Sequence, residues 1–469
     1  MSIISYQDLV KAEIGGVLGA AVLQEMDEII RCYELYEGKH PAVHEGDSAK
    51  RSCVHTNYIK KLIDDESRYM CARAPGITIK ALDDRDKAGA EALTQWLKAM
   101  LDRNDWGEAL LKGVRDALIG KRVALKLSYE MGVGVRLRFA PSLEFVYEPD
   151  EVNLRRVNKA VFFYSTTPET EIDRSRQRIW KQRYRMEDGR CMLTEGLYDG
   201  YGRVIELTHD EEDTGLDFIP AFVIINGGLS GDLLGESDVE TLQGNQKAYD
   251  DTKSDDVDAL KYQMFGQKVF TDASPESMEN VRIAPNAMID LQTEPGSSHQ
   301  AKAEVLETHF SYGDHMVQTL DRLKGDMHEL VSVPRLTPEL LSGLGTSGKA
   351  LRMLYWALNC RCEEKWAGGW DSAIRWMVDS AIRMACIYGE ELPDIQYTLA
   401  IDHLYPVIDD DEEERERDLS EVHAQARSRR SYISKWQPDD DPDGELEQIL
   451  REKRLLEDAL EGVLRGDNI

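Results

Sequence analysis

The run of residues whose types and spacing most suggest ligand chemistry is Gly343-Leu-Gly345-Thr-Ser-Gly348-Lys349. It satisfies G-x-G-x-x-G and G-x-x-x-x-G-K together, the glycine spacings that let backbone N–H groups approach a phosphate. A phosphate loop also needs a strand feeding the glycines and a Ser or Thr behind the lysine for magnesium. Here Ala350 takes the hydroxyl position, and the approach runs through Pro334 and Pro338. The Walker-B-like Val407-Ile408-Asp409-Asp410 follows Pro406 and dissolves into acids. The expectation is a flexible loop before a helix capped by Thr346 or Ser347, with nucleotide binding as the alternative.

Other site chemistries are weaker still. His299, His309, His315, His403 and His423 share no metal-ligand spacing, and H-E-x-x-H and G-x-S-x-G are both absent. The seven cysteines are scattered without a C-x-x-C, which argues against a zinc site or disulfide framework and for a reducing compartment. Carboxylate pairs are expected by chance in so acidic a chain. No metal, no cofactor and no catalytic residue is expected, and the chain reads as a non-enzyme.

Charge narrows the partners. With 87 acidic against 57 basic side chains in 469 residues, the formal net charge is −30. A protein that grips nucleic acid by neutralising phosphates needs clustered Lys and Arg, so any such role here is non-adhesive. Residues 409–469 hold 20 acids and 10 bases, within which Arg427-Ser-Arg429-Arg430 reads as an internal charge partner. The first residues show no targeting pattern, and the apolar stretch Ile14–Leu23 is too short to span a bilayer.

Periodicity predicts helices over Leu23–Tyr36, Asn57–Cys71, Ala90–Leu101 and Trp106–Ile119. From Lys121 the period becomes two, predicting strands at 123–127, 133–139, 159–166, 179–186, 192–198, 204–208 and 221–225. Glu236–Phe265 has no proline and one internal glycine, Gly244, so it is read as a long helix. Its apolar stripe is thin: Val239, Leu242, Tyr249, Val257, Leu260 and Met264, with Asp250, Asp251, Asp255, Asp256 and Asp258 around the rest. Such a helix is expected to bridge solvent or pack against copies of itself. Short strands and turns over 266–303 precede a second helix, expected at Glu304–Val331. A loop then leads to a long Trp-rich helix, Ser347–Tyr388, weakened or kinked at Gly368-Gly369. Asp394–Tyr405 reads as a strand and Leu446–Leu464 as a helix.

In this order of parts the chain resembles the portal proteins of tailed bacteriophages, of the type found in long-tailed phages of Gram-positive bacteria. The resemblance covers about residues 30–445. It rests on Tyr33-Glu-Leu-Tyr36-Glu-Gly38-Lys39-His40, on Asn57-Tyr-Ile-Lys-Lys-Leu-Ile-Asp64 and on Gly120-Lys-Arg-Val-Ala-Leu-Lys-Leu-Ser-Tyr129-Glu. Glu236-Ser-Asp238-Val-Glu240, Ala248-Tyr249-Asp250 and Ser347-Gly348-Lys349-Ala350-Leu351 extend it.

The resemblance implies an α+β portal fold: a mixed α/β wing, a two-helix stem, a small α/β clip, a long kinked helix and a short helical crown. Residues 1–235 would be the N-terminal wing, 236–265 and 304–332 the stem helices and 266–303 the clip. Residues 333–346 would be the tunnel loop, 347–408 the kinked helix with a returning wing strand, and 409–469 the crown and acidic tail. It further implies a dodecameric ring at one capsid vertex through which double-stranded DNA is packaged and ejected without sequence specificity. Arg335, Leu336, Thr337, Glu339, Leu340, Leu341, Ser342, Gly343, Leu344 and Gly345 would face DNA. Val239, Leu242, Tyr249, Val257, Leu260 and Met264 would pack stems together, and Phe270, Val281, Ile283, Met288 and Ile289 would meet clip partners. Implied partners are the terminase large subunit, head-completion and tail adaptor proteins, and major capsid and scaffolding proteins, with no membrane. The implied location is the virion, after assembly in the host cytoplasm. A packaging ATPase using Gly343–Lys349 and a structural adaptor without a channel are the alternatives.

Overall fold

The computed structural model describes residues 6–41, 52–167, 171, 173–264, 267–275, 291–296, 298–306, 313–337, 352–406, 411–436 and 442–464. These fall into two compact units: residues 1–335 with 357–406, and residues 336–356 with 407–469.

The first unit opens with helices α1 (Gln7–Glu13), α2 (Gly16–Tyr36), α3 (Tyr58–Cys71), α4 (Lys87–Arg103) and α5 (Trp106–Gly120), with strand β1 (Gly76–Ala81) between α3 and α4. Helix α2 ends where Gly38 takes a φ of 86°, a left-handed turn that a side chain would strain. Asn57 joins α2 to α3. Its Oδ1 accepts the Lys60 N–H at 2.9 Å, capping α3, while its Nδ2 donates to the Tyr36 carbonyl at 3.0 Å.

The predicted period-two stretch forms two antiparallel sheets. Strands β2 (Arg122–Glu130), β3 (Gly134–Pro141) and β9 (Ala221–Ile225) make one, in the order β3-β2-β9. Strands β4 (Phe145–Pro149), β5 (Val157–Ser165), β6 (Ile179–Glu187), β7 (Arg190–Tyr198) and β8 (Val204–Asp213) make a five-stranded meander. Central β2 pairs Leu125 with Phe139 and Leu127 with Leu137. Helix α5 lies so close on this sheet that a Cβ at Gly113 would come within 2.6 Å of the Phe139 ring. A second apolar cluster joins Leu9, Val10 and Ile14 to Val146, Val161, Phe163 and Ile179 of the meander.

Lys126 of β2 is buried under the meander, bonded to Gln182 and 4.8 Å from the Phe162 ring centroid. Burial pushes its pKa down to about 7, helped by the charge of Arg138.

Next come the long helix α6 (Asp238–Met264), strands β10 (Gln267–Thr271) and β11 (Lys302–Leu306), and helix α7 (Gly313–Leu330). Strands β10 and β11 pair antiparallel, Val269 opposite Glu304, so the chain from Glu304 is strand where helix was expected. Local Glu and Leu content favours a helix there, and pairing with a distant strand overrides it. Helices α6 and α7 pack side by side.

The Trp-rich helix is α8 (Trp356–Lys365), a π-helical turn (Trp366–Trp370) and α9 (Asp371–Ile387). The expected weak point at Gly368-Gly369 is thus an inserted residue in a continuous rod, a known form of helix irregularity. Trp370 and Trp376 pack on Phe139 and Phe222 of the three-stranded sheet at 5.9 and 5.6 Å between ring centroids. Strand β12 (Tyr397–Asp402) pairs antiparallel with β1, Leu399 opposite Ile79.

The second unit contains α10 (Asp411–His423), α11 (Arg429–Trp436) and α12 (Pro442–Leu464). Its hub is Asp418, only 2% exposed, which pairs with Arg427 and Lys435 and accepts a hydrogen bond from Trp436 Nε1 at 3.0 Å. Arg430 pairs with Asp443 at 2.8 Å, so the basic run is an internal charge partner as expected.

Candidate functional site

Two of the segments that carry the resemblance, Gly120–Glu130 and Glu236–Glu240, meet where α6 begins. Ser237 Oγ accepts the Val239 N–H at 3.2 Å, as an N-cap does, and donates to the Ile119 carbonyl at 2.7 Å. Lys121 reaches Glu240 at 3.1 Å, and Arg122 pairs with the buried Glu25 of α2. The start of α6 is therefore bolted to the end of α5 and, through Lys121, which also reaches Glu28 at 3.4 Å, to α2.

A buried charge cluster fixes the next contact. Arg361 Nε donates to Glu66 Oε1 at 2.8 Å and its Nη2 meets Asp238 Oδ1 at 2.9 Å. Lys365 Nζ bonds Asp238 Oδ2 at 2.9 Å and Asn226 Oδ1 at 2.8 Å. Burial and the neighbouring Asp238 push the Glu66 carboxyl above its usual range. Asp238 is buried as well, which alone would raise it, but Lys365 and Arg361 outweigh burial and hold it below. The cluster locks α3, α6 and α8 together beside a cavity of about 650 Å³ whose lining includes the glycine-rich turn at Gly227, Gly228 and Gly231.

Along α6 the polar residues have a use that their solvent-facing reading missed. The backbone N–H groups of Ser52, Val54, Thr56 and Tyr58 donate in turn to Asp258 (2.9 Å), Ser254 (3.0 Å), Asp250 (3.1 Å) and Gln246 (3.0 Å). Four helical residues rise about 6 Å. Two extended residues span about 6.6 Å, so each turn of helix meets every second amide. Gln246 Nε2 returns a bond to the Thr56 carbonyl at 2.8 Å. Gln246, Asp250 and Ser254 are consequently buried, and this face of α6 is covered by its own chain instead of bridging solvent.

The predicted stripe divides accordingly. Val239, Leu242 and Tyr249 are buried within the chain, Tyr249 edge-on to Tyr58 at 5.1 Å. Val257 is half-buried and Leu260 is 50% exposed; on α7, Val317 is 67% exposed. The backbone of Met264 ends the helix. Helix α7 closes with Ser332 in a left-handed conformation and the Val333 N–H bonded to the His328 carbonyl at 3.0 Å. Arg335 is held on Asp321 of α7. Leu336 is exposed and Thr337 half-buried, whereas Glu339, Leu340, Leu341, Ser342, Gly343, Leu344 and Gly345 lie outside the described residues, as does Lys349. Of the residues expected in a clip, Phe270 is half-buried on β10, and Val281, Ile283, Met288 and Ile289 lie outside the described residues.

His403, one of the histidines without metal-ligand spacing, stacks on Trp366 at 4.4 Å and bonds Asp371 at 2.9 Å. Sequence reasoning passed over two others. His40, whose imidazole burial holds below its ordinary pKa against the pull of Asp250, stacks on His55 at 5.2 Å. All seven cysteines are free thiols. Among the described residues no helix is long and apolar enough to cross a membrane.

Comparison with known proteins gives a family match over residues 18–456, to the model described as phage portal protein, SPP1 Gp6-like. A similar solved chain, from the virion of a native gene transfer agent (GTA) particle, is 12% identical, with 78% of this chain and 84% of that chain covered and a TM-score of 0.41. A search of curated proteins returns no match.

Proposed function

Since the chain belongs to the family of SPP1 Gp6-like phage portal proteins and is a structural component of a virion, we propose that twelve copies form the ring at one capsid vertex. Double-stranded DNA enters through that ring during packaging and leaves through it at ejection. On this reading α6 and α7 are the stem, the β10–β11 pair belongs to the clip that docks the terminase large subunit and later head-completion proteins, and residues 333–346 form the tunnel loop.

The observation that carries the proposal is the division of the α6 stripe. Its first half is anchored within the chain, while Val257, Leu260 and, on α7, Val317 stay available. A ring supplies the missing cover from the next copy, because a head-to-tail contact that closes on itself buries the same patch in every subunit. The charge of −30 fits a conduit, since a wall of like charge does not hold a sliding polyanion by counterion release.

Electron microscopy of the purified chain tests this. Rings with twelve-fold symmetry and a central hole are expected, and monomers or rods at every salt concentration would overturn it. ATP turnover by the purified rings, lost in Lys349→Ala, would instead support the packaging ATPase.

A further inference from the structure

We propose that His40, His55 and Asp250 form a binding site for a divalent transition-metal cation of the zinc class, which pins the segment after α2 to the long helix α6.

Each of the three residues offers one ligand atom, and the atoms lie within 4.8 Å of one another. Asp250 Oδ2 is 3.3 Å from His55 Nδ1 and 3.6 Å from His40 Nδ1. Bonds of about 2.0–2.1 Å in a tetrahedral zinc site put neighbouring ligand atoms about 3.3–3.4 Å apart. The His55 edge therefore already has the size of a coordination polyhedron, and the His40 edge is slightly longer. Two imidazoles and one carboxylate suit zinc, leaving a fourth position for water.

Two further observations favour a cation over a plain hydrogen-bonded cluster. First, the His40 side chain is only 4% exposed, yet its Nδ1 sits beyond hydrogen-bond reach of Asp250 and its Nε2 has no partner among the described residues. Among the described residues neither ring nitrogen of His40 makes a hydrogen bond, which is uncommon for a buried side chain, and metal ligation would satisfy Nδ1. Second, the other two ligands are oriented from behind. Asp250 Oδ1 accepts the Thr56 N–H at 3.1 Å, which turns Oδ2 toward the histidines. Cys53 Sγ lies 3.0 Å from His55 Nε2, which leaves Nδ1 facing Asp250. Such outer partners are what fix ring orientation at metal sites. His55 is 27% exposed at its side chain and gives the ion a way in.

The inference does not depend on ring assembly, so it is tested on the full-length protein in any oligomeric state. Chelator-treated protein is dialysed against Zn²⁺ and its bound metal counted, with Co²⁺ as a spectroscopic probe. About one zinc per chain is expected, together with a cobalt spectrum of tetrahedral intensity. His55→Gln, at an exposed position that leaves the fold intact by circular dichroism, is expected to weaken zinc binding at least tenfold and remove the cobalt bands. Cys53→Ser is expected to keep the zinc. No zinc taken up by the unsubstituted protein, equal binding by His55→Gln, or loss of zinc in Cys53→Ser but not in His55→Gln would each overturn the proposal.

Discussion

Asp250, on the long helix, accepts the backbone N–H of Thr56 at 3.1 Å across 194 positions of sequence. It is one rung of four, and every rung ties a main-chain amide to a side chain. Because the amides come from the backbone, the substitutions that test this contact lie on α6.

Ser254 is the cleanest rung to remove. It is fully buried, accepts the Val54 N–H at 3.0 Å and donates to the Asp250 carbonyl at 2.7 Å. Ser254→Ala leaves the Val54 amide without an acceptor and is expected to cost about 1–3 kcal/mol. Hydrogen exchange should show the amides of 52–58 opening faster while those of β2 are unchanged. Unchanged exchange at Val54 would mean the contact is not formed in solution.

The charge cluster makes the opposite demand, since its members depend on one another. Lys365→Met strips Asp238 and Asn226 of a shared donor inside the protein. Removing one partner of a buried ion pair typically costs about 3–5 kcal/mol. Urea unfolding should show that loss, and adding Asp238→Asn should recover part of it. Simple additivity of the two substitutions would contradict the coupling inferred from the geometry.

Lys126 predicts a pH dependence of defined sign. Its folded pKa, about 7, lies below the ordinary lysine value of 10.5 that the unfolded chain keeps. Between these values the unfolded state binds more protons, so this residue's contribution to stability rises with pH across that window. Below about pH 7 the folded state also carries the buried charge and the full cost remains. Lys126→Met should therefore stabilise the protein by about 1–4 kcal/mol near and below neutrality. The gain should shrink towards pH 10, as read by urea midpoints across the range. The ring of Phe162, 4.8 Å away, offsets part of the cost and sets the lower end.

The proposed packing between copies is tested where the chain leaves its own surface uncovered. Leu260→Glu at a half-exposed position should leave the circular dichroism of the chain intact and weaken ring formation. Sedimentation should then report smaller species, with the shift largest at low salt, where repulsion between introduced charges is least screened. Rings of unchanged size and stability would place the subunit contact elsewhere.

Much of the fold was readable from periodicity. Strands β2, β3 and β5 to β9 and helix α6 fall close to their expected positions, because alternation and the absence of proline are local signals, whereas the short β4 was not expected. What escaped was non-local. Strand β1 finds its partner in β12, and β11 is a strand only because β10 lies beside it. Gln246, Asp250, Ser254 and Asp258 of α6 looked like part of a solvated face because nothing near them in sequence announces that Ser52–Tyr58 will bond them. Their spacing of four, from Gln246 to Asp258, was the available clue. His40 and His55 were equally opaque, since Asp250 is 195 positions from His55.

The rungs between Ser52–Tyr58 and α6 also work as a vernier. Two scales of slightly different pitch, about 6 Å on the helix and about 6.6 Å on the strand-like segment, coincide over a few divisions and then drift apart. From Gln246 to Asp258 the accumulated mismatch is about 2 Å, which bond angles and side-chain rotamers absorb. Two or three further rungs would exceed that tolerance. The clasp thus has a length built into its geometry: it aligns one short stretch of α6 and leaves the rest of the helix free to answer to other neighbours.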